Sequence, residues 1–419
     1  QWMMIWEPGD QWANDERILD VATDASGNIY AVGVNAPVGS IKRCAYILSF
    51  TSDGAVRWEY NYPTEGVDGH VRFWRIVFDD SGNLIVAGIW GAPSTYYLLL
   101  TKWSPSGTIL AQKIYTESRM IRIHGFRRDT SGNLYIAGWC EMNPTRSLIG
   151  KFNANFDCIW MKSFGNSSVY IRDLAIDSSR NIYVVGNYDT NSPVVKFDTN
   201  GVVLSQWAIY KTSPAYMCLC AISISANGKI VMGGECSDGS LARAFVLDVS
   251  PSMTINGQYY LSYPGGSTVS RIAHVGVTDN YWLAGYLGGN GGDAFIRYNL
   301  SGGTSRTLSH ASKWEEIACI TTDVNGNPVF GGMLYESSSW PSPYYGRPMV
   351  GTMAAAGGTT GPLPGATTYN WTNTATDFVP SNLSSFSAVT LSISTMGTGT
   401  ETRNVVPEAY SRSKTLIPY

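Results

Sequence analysis

Short apolar runs rich in β-branched and aromatic residues recur along this chain, each bounded by clusters of Asp, Ser, Gly and Asn. The runs are too short for helices, and nothing between them carries apolar residues at the helical spacing, so the pattern predicts strands. The punctuation repeats as a phrase: Asp24-Ala-Ser-Gly-Asn-Ile-Tyr-Ala-Val-Gly33, Asp79-Asp-Ser-Gly-Asn-Leu-Ile-Val-Ala-Gly88, Asp129-Thr-Ser-Gly-Asn-Leu-Tyr-Ile-Ala-Gly138 and Asp177-Ser-Ser-Arg-Asn-Ile-Tyr-Val-Val-Gly186. Looser copies stand at Ser225–Gly234, Thr278–Gly285 and Asp323–Gly332, which makes seven at steps of about fifty residues. A fixed period of this kind marks a repeat architecture.

Within the phrase, Asp or Ser accepts backbone hydrogen bonds at the start of a turn and Gly supplies the left-handed residue. A strand follows and closes on a second Gly. Seven turn–strand units predict an all-β fold, a seven-bladed β-propeller of four-stranded blades. The second unit reads as Val71–Phe78, Leu84–Ala87, Tyr96–Trp103 and Ile109–Tyr115, and the fourth as Ile171–Ile176, Ile182–Val185, Val194–Phe197 and Val203–Tyr210. Their inner strands do not alternate cleanly, as expected of strands buried between neighbouring blades. The seventh unit has Ile317–Thr321, Val329–Gly331 and Arg347–Met353 but no outer strand, because the chain turns Gly/Thr-rich at Ala354. Trp2–Trp6 matches outer strands elsewhere, so the N-terminus is expected to complete the last blade and pair an edge that would otherwise stay open.

The phrase Asp-x-Ser-Gly-Asn-hydrophobic-Tyr-x-x-Gly, with a later Trp or Tyr in the outer strand, resembles the bacterial and archaeal seven-bladed β-propeller repeat family over residues 1 to about 352. Units five to seven depart from it; Met232-Gly-Gly234 and Phe330-Gly-Gly332 resemble kelch repeats, without the Tyr and Trp that follow the glycine pair there. The resemblance implies an exported or cell-surface protein and no particular activity, since that family shares a fold rather than a function.

Composition narrows the field. The chain of 419 residues accommodates one propeller, residues 1–352, and a C-terminal extension, residues 353–419. A net charge of −3 supplies no basic field for nucleic acid, and no apolar run reaches the roughly 18 residues of a membrane helix. The first residue is Gln1, which together with the resemblance reads as an exported chain whose leader has been removed. Seven cysteines stand at 44, 140, 158, 218, 220, 236 and 319, with no CxxC knuckle. Most read as small buried hydrophobes; Cys218 and Cys220 present two thiols on one face of a strand, too few for zinc. A Cys140–Cys158 bridge within one blade is an open pairing, because connectivity is not legible in sequence.

No GxSxG elbow, HExxH, P-loop or dinucleotide fingerprint is present. His124 and His274 stand at what counts as one shared place, five residues before the turn of their blades, and read as core or solvated histidines rather than metal ligands. The turns carry one Asp each, short of a calcium loop, and no cofactor is expected. Propeller sialidases carry Ser-x-Asp-x-Gly-x-Thr-Trp boxes; Ser52-Asp-Gly-Ala-Val-Arg-Trp58 lacks the residue between Asp and Gly. One constellation stands out. Arg17, Arg72, Arg122, Arg172 and Arg271 fall near the start of the inner strand in five units, where a ring of guanidinium groups would hold a carboxylate, sulfate or phosphate. The competing account has each arginine capping backbone carbonyls or pairing with Asp20, Asp173 or Glu16. Offsets that differ between units favour that second account.

Between Ala354 and Thr400 the only charged residue is Asp377. Phe386, Val389, Leu391 and Ile393 lie in a stretch that alternates with polar residues, the pattern of a half-buried strand. An uncharged strand is poorly guarded against edge pairing, so the extension is expected to join the propeller to a like subunit or another surface protein. The first functional expectation is therefore a non-enzymatic extracellular structural or interaction protein. A second is a lectin-like propeller that stacks glycans on Trp90, Trp139, Trp340, Tyr344 and Tyr345; a third is an enzyme acting on an anionic polymer at the arginine-lined channel.

Overall fold

The computed structural model describes residues 2–6, 16–35, 43–62, 70–92, 95–140, 146–164, 169–188, 190–211, 216–237, 241–261, 266–288, 293–299, 305–308, 314–335 and 346–353, and in the extension 371–373, 378–382, 400–401, 408–409 and 414–418. These residues form a seven-bladed β-propeller with no helix among them. Six blades are built from consecutive strands, for example Val169–Ile176, Ile182–Tyr188, Ser192–Phe197 and Val203–Lys211 in blade 4. Blades 2 and 3 share one long strand, Ile109–Arg128, which is the outer strand of the first and the inner strand of the second.

Blade 7 contributes Trp314–Thr322, Pro328–Tyr335 and Gly346–Thr352, and Trp2–Trp6 supplies its fourth strand, antiparallel from Trp2↔Thr352 to Ile5↔Met349. Ring closure by the N-terminus is thus as expected, and side-chain alternation makes it two-sided. Trp2 and Met4 enter the core shared with blade 1, while Met3 enters the core shared with blade 6. Trp2 Nε1 also donates to the carbonyl of Ser52 in blade 1, 2.9 Å away. A separate apolar cluster fills each of the seven blade–blade interfaces.

The polar positions of the repeated phrase hold its turn together, most fully in the first and third copies. Asp24 Oδ1 accepts the backbone N–H of Ser26 and Asn28, and Oδ2 accepts the Asn28 side-chain amide and the Tyr30 hydroxyl. Gly27 takes φ +80°, where a Cβ is disfavoured. The same set recurs at Asp129 with Ser131, Asn133 and Tyr135. A second turn of this type joins the third and fourth strands, as at Thr51–Ala55 and Asp198–Val202. These carboxylates are consumed by the turn itself.

The glycine that closes the phrase does not end the strand, as the sequence pattern suggests; each ladder continues beyond it. In all seven inner strands the register slips by one residue, at Leu19, Trp74, His124, Arg172, Cys220, Ser270 and Ala318. This β-bulge always stands five residues before the turn residue (24, 79, 129, 177, 225, 275, 323). The phrase-closing glycines lie opposite it, and a Cβ on any of them would overlap the carbonyl of the residue two before the bulge. In blade 6 the turn begins at Val275, so His274 directly precedes it while His124 sits at the bulge of blade 3. The two histidines are therefore not equivalent, contrary to the sequence count, which took Asp279 for the turn residue.

The extension runs around the ring. Its described strands each add antiparallel to the outer edge of a different blade: Trp371–Asn373 on blade 5, Phe378–Asn382 on blade 4, Thr400–Glu401 on blade 2, Glu408–Ala409 on blade 1 and Lys414–Pro418 on blade 7. They visit the blades in descending order. The stretch holding Phe386, Val389, Leu391 and Ile393 lies outside the described residues.

Candidate functional site

The inner strands line the central channel, and the bulge sorts their side chains by height. Arg17, Arg72 and Arg122 all stand two residues before it, Arg172 is at it, and Arg271 is one residue after it. Five similar-looking arginines therefore occupy three levels, with Arg17, Arg72 and Arg122 sharing one. Arg17 Nη1 lies 3.7 Å from Glu316 Oε2, and Arg122 lies over the Trp139 ring at 5.6 Å. Arg172 Nε donates to Asn187 Oδ1 at 3.1 Å.

Only Arg271 of the five lines the cavity at the channel's turn-side end, about 340 Å³ in volume, alongside Asp20, Arg75, Arg127, Asp173, Ser223 and His274. The residue after the bulge is Asp20, Arg75, Asp173 and Arg271 in blades 1, 2, 4 and 6, a ring of mixed charge. Its first task is to tie blades together. Arg75 is 3% exposed and donates to the carbonyls of Leu19, Trp74 and His124, the bulge residues of three consecutive blades, at 2.7–3.0 Å. Burial and the nearby Arg271 lower its pKa to about 10, with Asp20 and Asp173 opposing that drop. Asp20 accepts the N–H of Ile76, and Asp173 that of Ile222, each from the next blade round the ring. Burial raises the Asp20 carboxyl above the usual range, with Arg75 pulling the other way.

The remaining donors face a different situation. Arg127 spends one Nη on the Phe126 carbonyl and the other on Asp173 at 3.3 Å; Arg271 spends one on the Ser270 carbonyl at 2.7 Å. Among the described residues, the other N–H groups of both have no hydrogen-bond acceptor. His274 Nδ1 stands 2.7 Å from Ser223 Oγ, while its Nε2 is buried with no hydrogen-bond partner. Burial holds this imidazole neutral, its pKa lowered to about 4. A serine–histidine pair without a carboxylate on the second nitrogen is not a nucleophilic triad. The cavity thus brings two guanidinium groups and a neutral imidazole together with the carboxylates of Asp20 and Asp173.

Sequence reasoning had Asp20 and Asp173 as local partners but missed Arg75, Arg127 and Ser223. The signal was the turn: Asp20, Arg75 and Asp173 each stand four residues before the turn residue of their blade. Of the aromatic residues expected to stack sugars, Trp90 packs on Tyr97 (6.3 Å between centroids) and Trp139 packs edge-on to Tyr170 (5.9 Å). Trp340, Tyr344 and Tyr345 lie outside the described residues. None of the seven cysteines is in a disulfide; Cys140 and Cys158 belong to one core cluster, and the open pairing between them is not formed.

Comparison with known proteins agrees on the fold. Residues 159–192 match the family model described as a beta-propeller repeat. No curated protein matches the chain. Among solved structures, Sqt1 of Chaetomium thermophilum is similar at 11% identity and a TM-score of 0.50, covering 84% of this chain and 98% of that one. The NanB sialidase of Streptococcus pneumoniae is similar at 12% identity and a TM-score of 0.44, covering 82% and 69%. The WD40 domain of Toxoplasma gondii coronin is similar at 12% identity and a TM-score of 0.45, covering 85% and 87%. A shared propeller fold does not decide between binding and catalysis.

Proposed function

We propose that the chain is a non-enzymatic structural or interaction subunit, exported to the cell surface or beyond, whose C-terminal extension joins it to a like subunit. The observation that carries this reading is the mode of contact: five tail strands in succession, each adding to a blade's outer edge. Edge addition uses backbone hydrogen bonds that any copy of the ring can offer, so the contacts a tail makes with its own ring are available on a neighbour. Residues 354–370 connect blade 7 to the first tail strand, and seventeen residues reach roughly 55 Å when extended. The repeat phrase's resemblance to exported propellers supports the location.

Light scattering on full-length protein and on a chain ending at Met353 tests the proposal. Concentration-dependent multimers of the full chain, with a monomeric folded ring after truncation, are expected. A full-length chain that stays monomeric at every concentration overturns it and leaves the tail as a belt on its own ring.

The cavity favours a second, compatible reading: a small anion held by Arg127 and Arg271 rather than by the five-arginine ring. Calorimetric titration with sulfate should give binding that Arg271→Gln abolishes and that Arg72→Gln with Arg122→Gln leaves unchanged. The opposite pattern restores the original assignment.

A further inference from the structure

Blade 5 differs from the other six at the bulge. There Cys218 stands two residues before the slip and Cys220 at it. In a regular strand, side chains two apart are separated by roughly 6.6 Å along the backbone. The bulge kinks this strand between Leu219 and Ala221, and the two sulfurs stand 3.3 Å apart, both as free thiols. A disulfide needs them roughly 1.3 Å closer, at about 2.05 Å.

The surroundings favour ionising one of the two. Cys218 Sγ lies 3.7 Å from Asn187 Oδ1, the same oxygen that accepts Arg172 Nε, which brings a guanidinium from blade 4 to the pair. The hydrogen bond from Cys220 pulls the Cys218 thiol down; burial and Glu235 oppose, and Arg172 and Tyr216 assist. The same hydrogen bond, with burial, pushes the Cys220 thiol up. Glu235 lies opposite Cys218 in the ladder and accepts a hydrogen bond from Thr268. No group of three or more His, Cys, Asp and Glu able to hold a metal ion exists among the described residues. Access is divided: Cys218 is 1% exposed, while Cys220 is partly open.

We propose that Cys218 and Cys220 form a dithiol that closes to an intramolecular disulfide at the channel wall when a disulfide oxidant reaches it. The chemistry balances as two exchanges. Cys220, the accessible thiol, passes its proton to the hydrogen-bonded Cys218 sulfur as it attacks the oxidant R–S–S–R, forming a mixed disulfide and releasing RS⁻, which takes the proton back from Cys218. Cys218 thiolate then attacks the Cys220 sulfur, breaking the mixed bond and releasing a second RS⁻. The two protons lost by the cysteines convert these to two RSH, so the protein is oxidised by two electrons and the oxidant reduced by two.

The test incubates the reduced full-length protein with oxidised glutathione, alkylates the remaining thiols with iodoacetamide and maps peptides by mass. The wild-type peptide holding both cysteines should lose two hydrogens and carry no alkyl group. Cys218→Ser should instead trap a glutathione adduct on Cys220, and Arg172→Gln should reach the wild-type product more slowly. Alkylation of both thiols after oxidation, a wild-type product that stops at the adduct, or pairing with another cysteine overturns the proposal. If the serine variant fails to fold, the wild-type map decides alone.

Discussion

Gly186→Ala is a sharp test of the idea that the phrase-closing glycine exists for the bulge. Gly186 has no left-handed φ, so conformational freedom does not explain it. A Cβ there would overlap the Tyr170 carbonyl oxygen and stand 2.9 Å from the Tyr170 carbonyl carbon and 3.0 Å from Ile171 Cα. All three are backbone atoms, which cannot rotate away as a side chain would. Overpacking of this kind costs about 1–3 kcal/mol or more. Removing glycine from the unfolded chain returns about 0.4–1 kcal/mol, so a net loss of about 1–2 kcal/mol is expected. Gly266→Ala is the control: its nearest atom would be the Ala242 carbonyl oxygen at 3.6 Å, an ordinary contact, and the change should stay within about 0.5 kcal/mol. Urea denaturation reads both as shifts in midpoint at unchanged slope. Equal stability of Gly186→Ala and wild type would refute the close-approach argument.

Three further outcomes are expected. Trp2→Ala should lower stability by about 3–5 kcal/mol, because the side chain is 3% exposed and its indole reaches blade 1; unchanged melting would count against two-sided closure. Arg75→Met should cost about 3–5 kcal/mol by leaving three bulge carbonyls without their donor and Asp20 without the positive charge beside it, and a neutral result in urea would deny it the bridging role. His274 is held neutral in the fold with its pKa lowered from 6.5 to about 4, so its contribution is complete above pH 6.5 and is lost as pH falls towards 4; melting temperature against pH should fall less steeply over that window in His274→Gln, although His124, also lowered, keeps some of the slope.

Much of the ring was legible because its turns are chemical. Asp, Asn and Gly each fill a distinct hydrogen-bonding or φ requirement, so the phrase recurs at most of these turns. Trp2–Trp6 was legible as the missing strand because it is a continuous apolar run, which needs cores on both sides. The bulge was not, since no residue type demands it: Leu19, Trp74, His124, Arg172, Cys220, Ser270 and Ala318 share nothing but their distance from the turn. Counting arginines without that ruler placed five on one rim when they occupy three levels. Blade 6 misled the count for the same reason, because Val275 starts its turn without an Asp. The tail's edge strands were also hidden, since a fifth strand is held by its backbone, and Pro380, opposite Ile209, breaks any propensity signal.

Amide hydrogen exchange, compared between the full chain and a chain ending at Met353, tests most directly the claim that the extension grips blade edges. The account predicts that truncation strips protection from outward-facing N–H groups in Val203–Lys211 of blade 4 and Ile255–Leu261 of blade 5, which carry tail strands. Ser305–Leu308 of blade 6, which carries none among the described residues, should exchange at the same rate in both. Unchanged protection in blades 4 and 5 would contradict the claim.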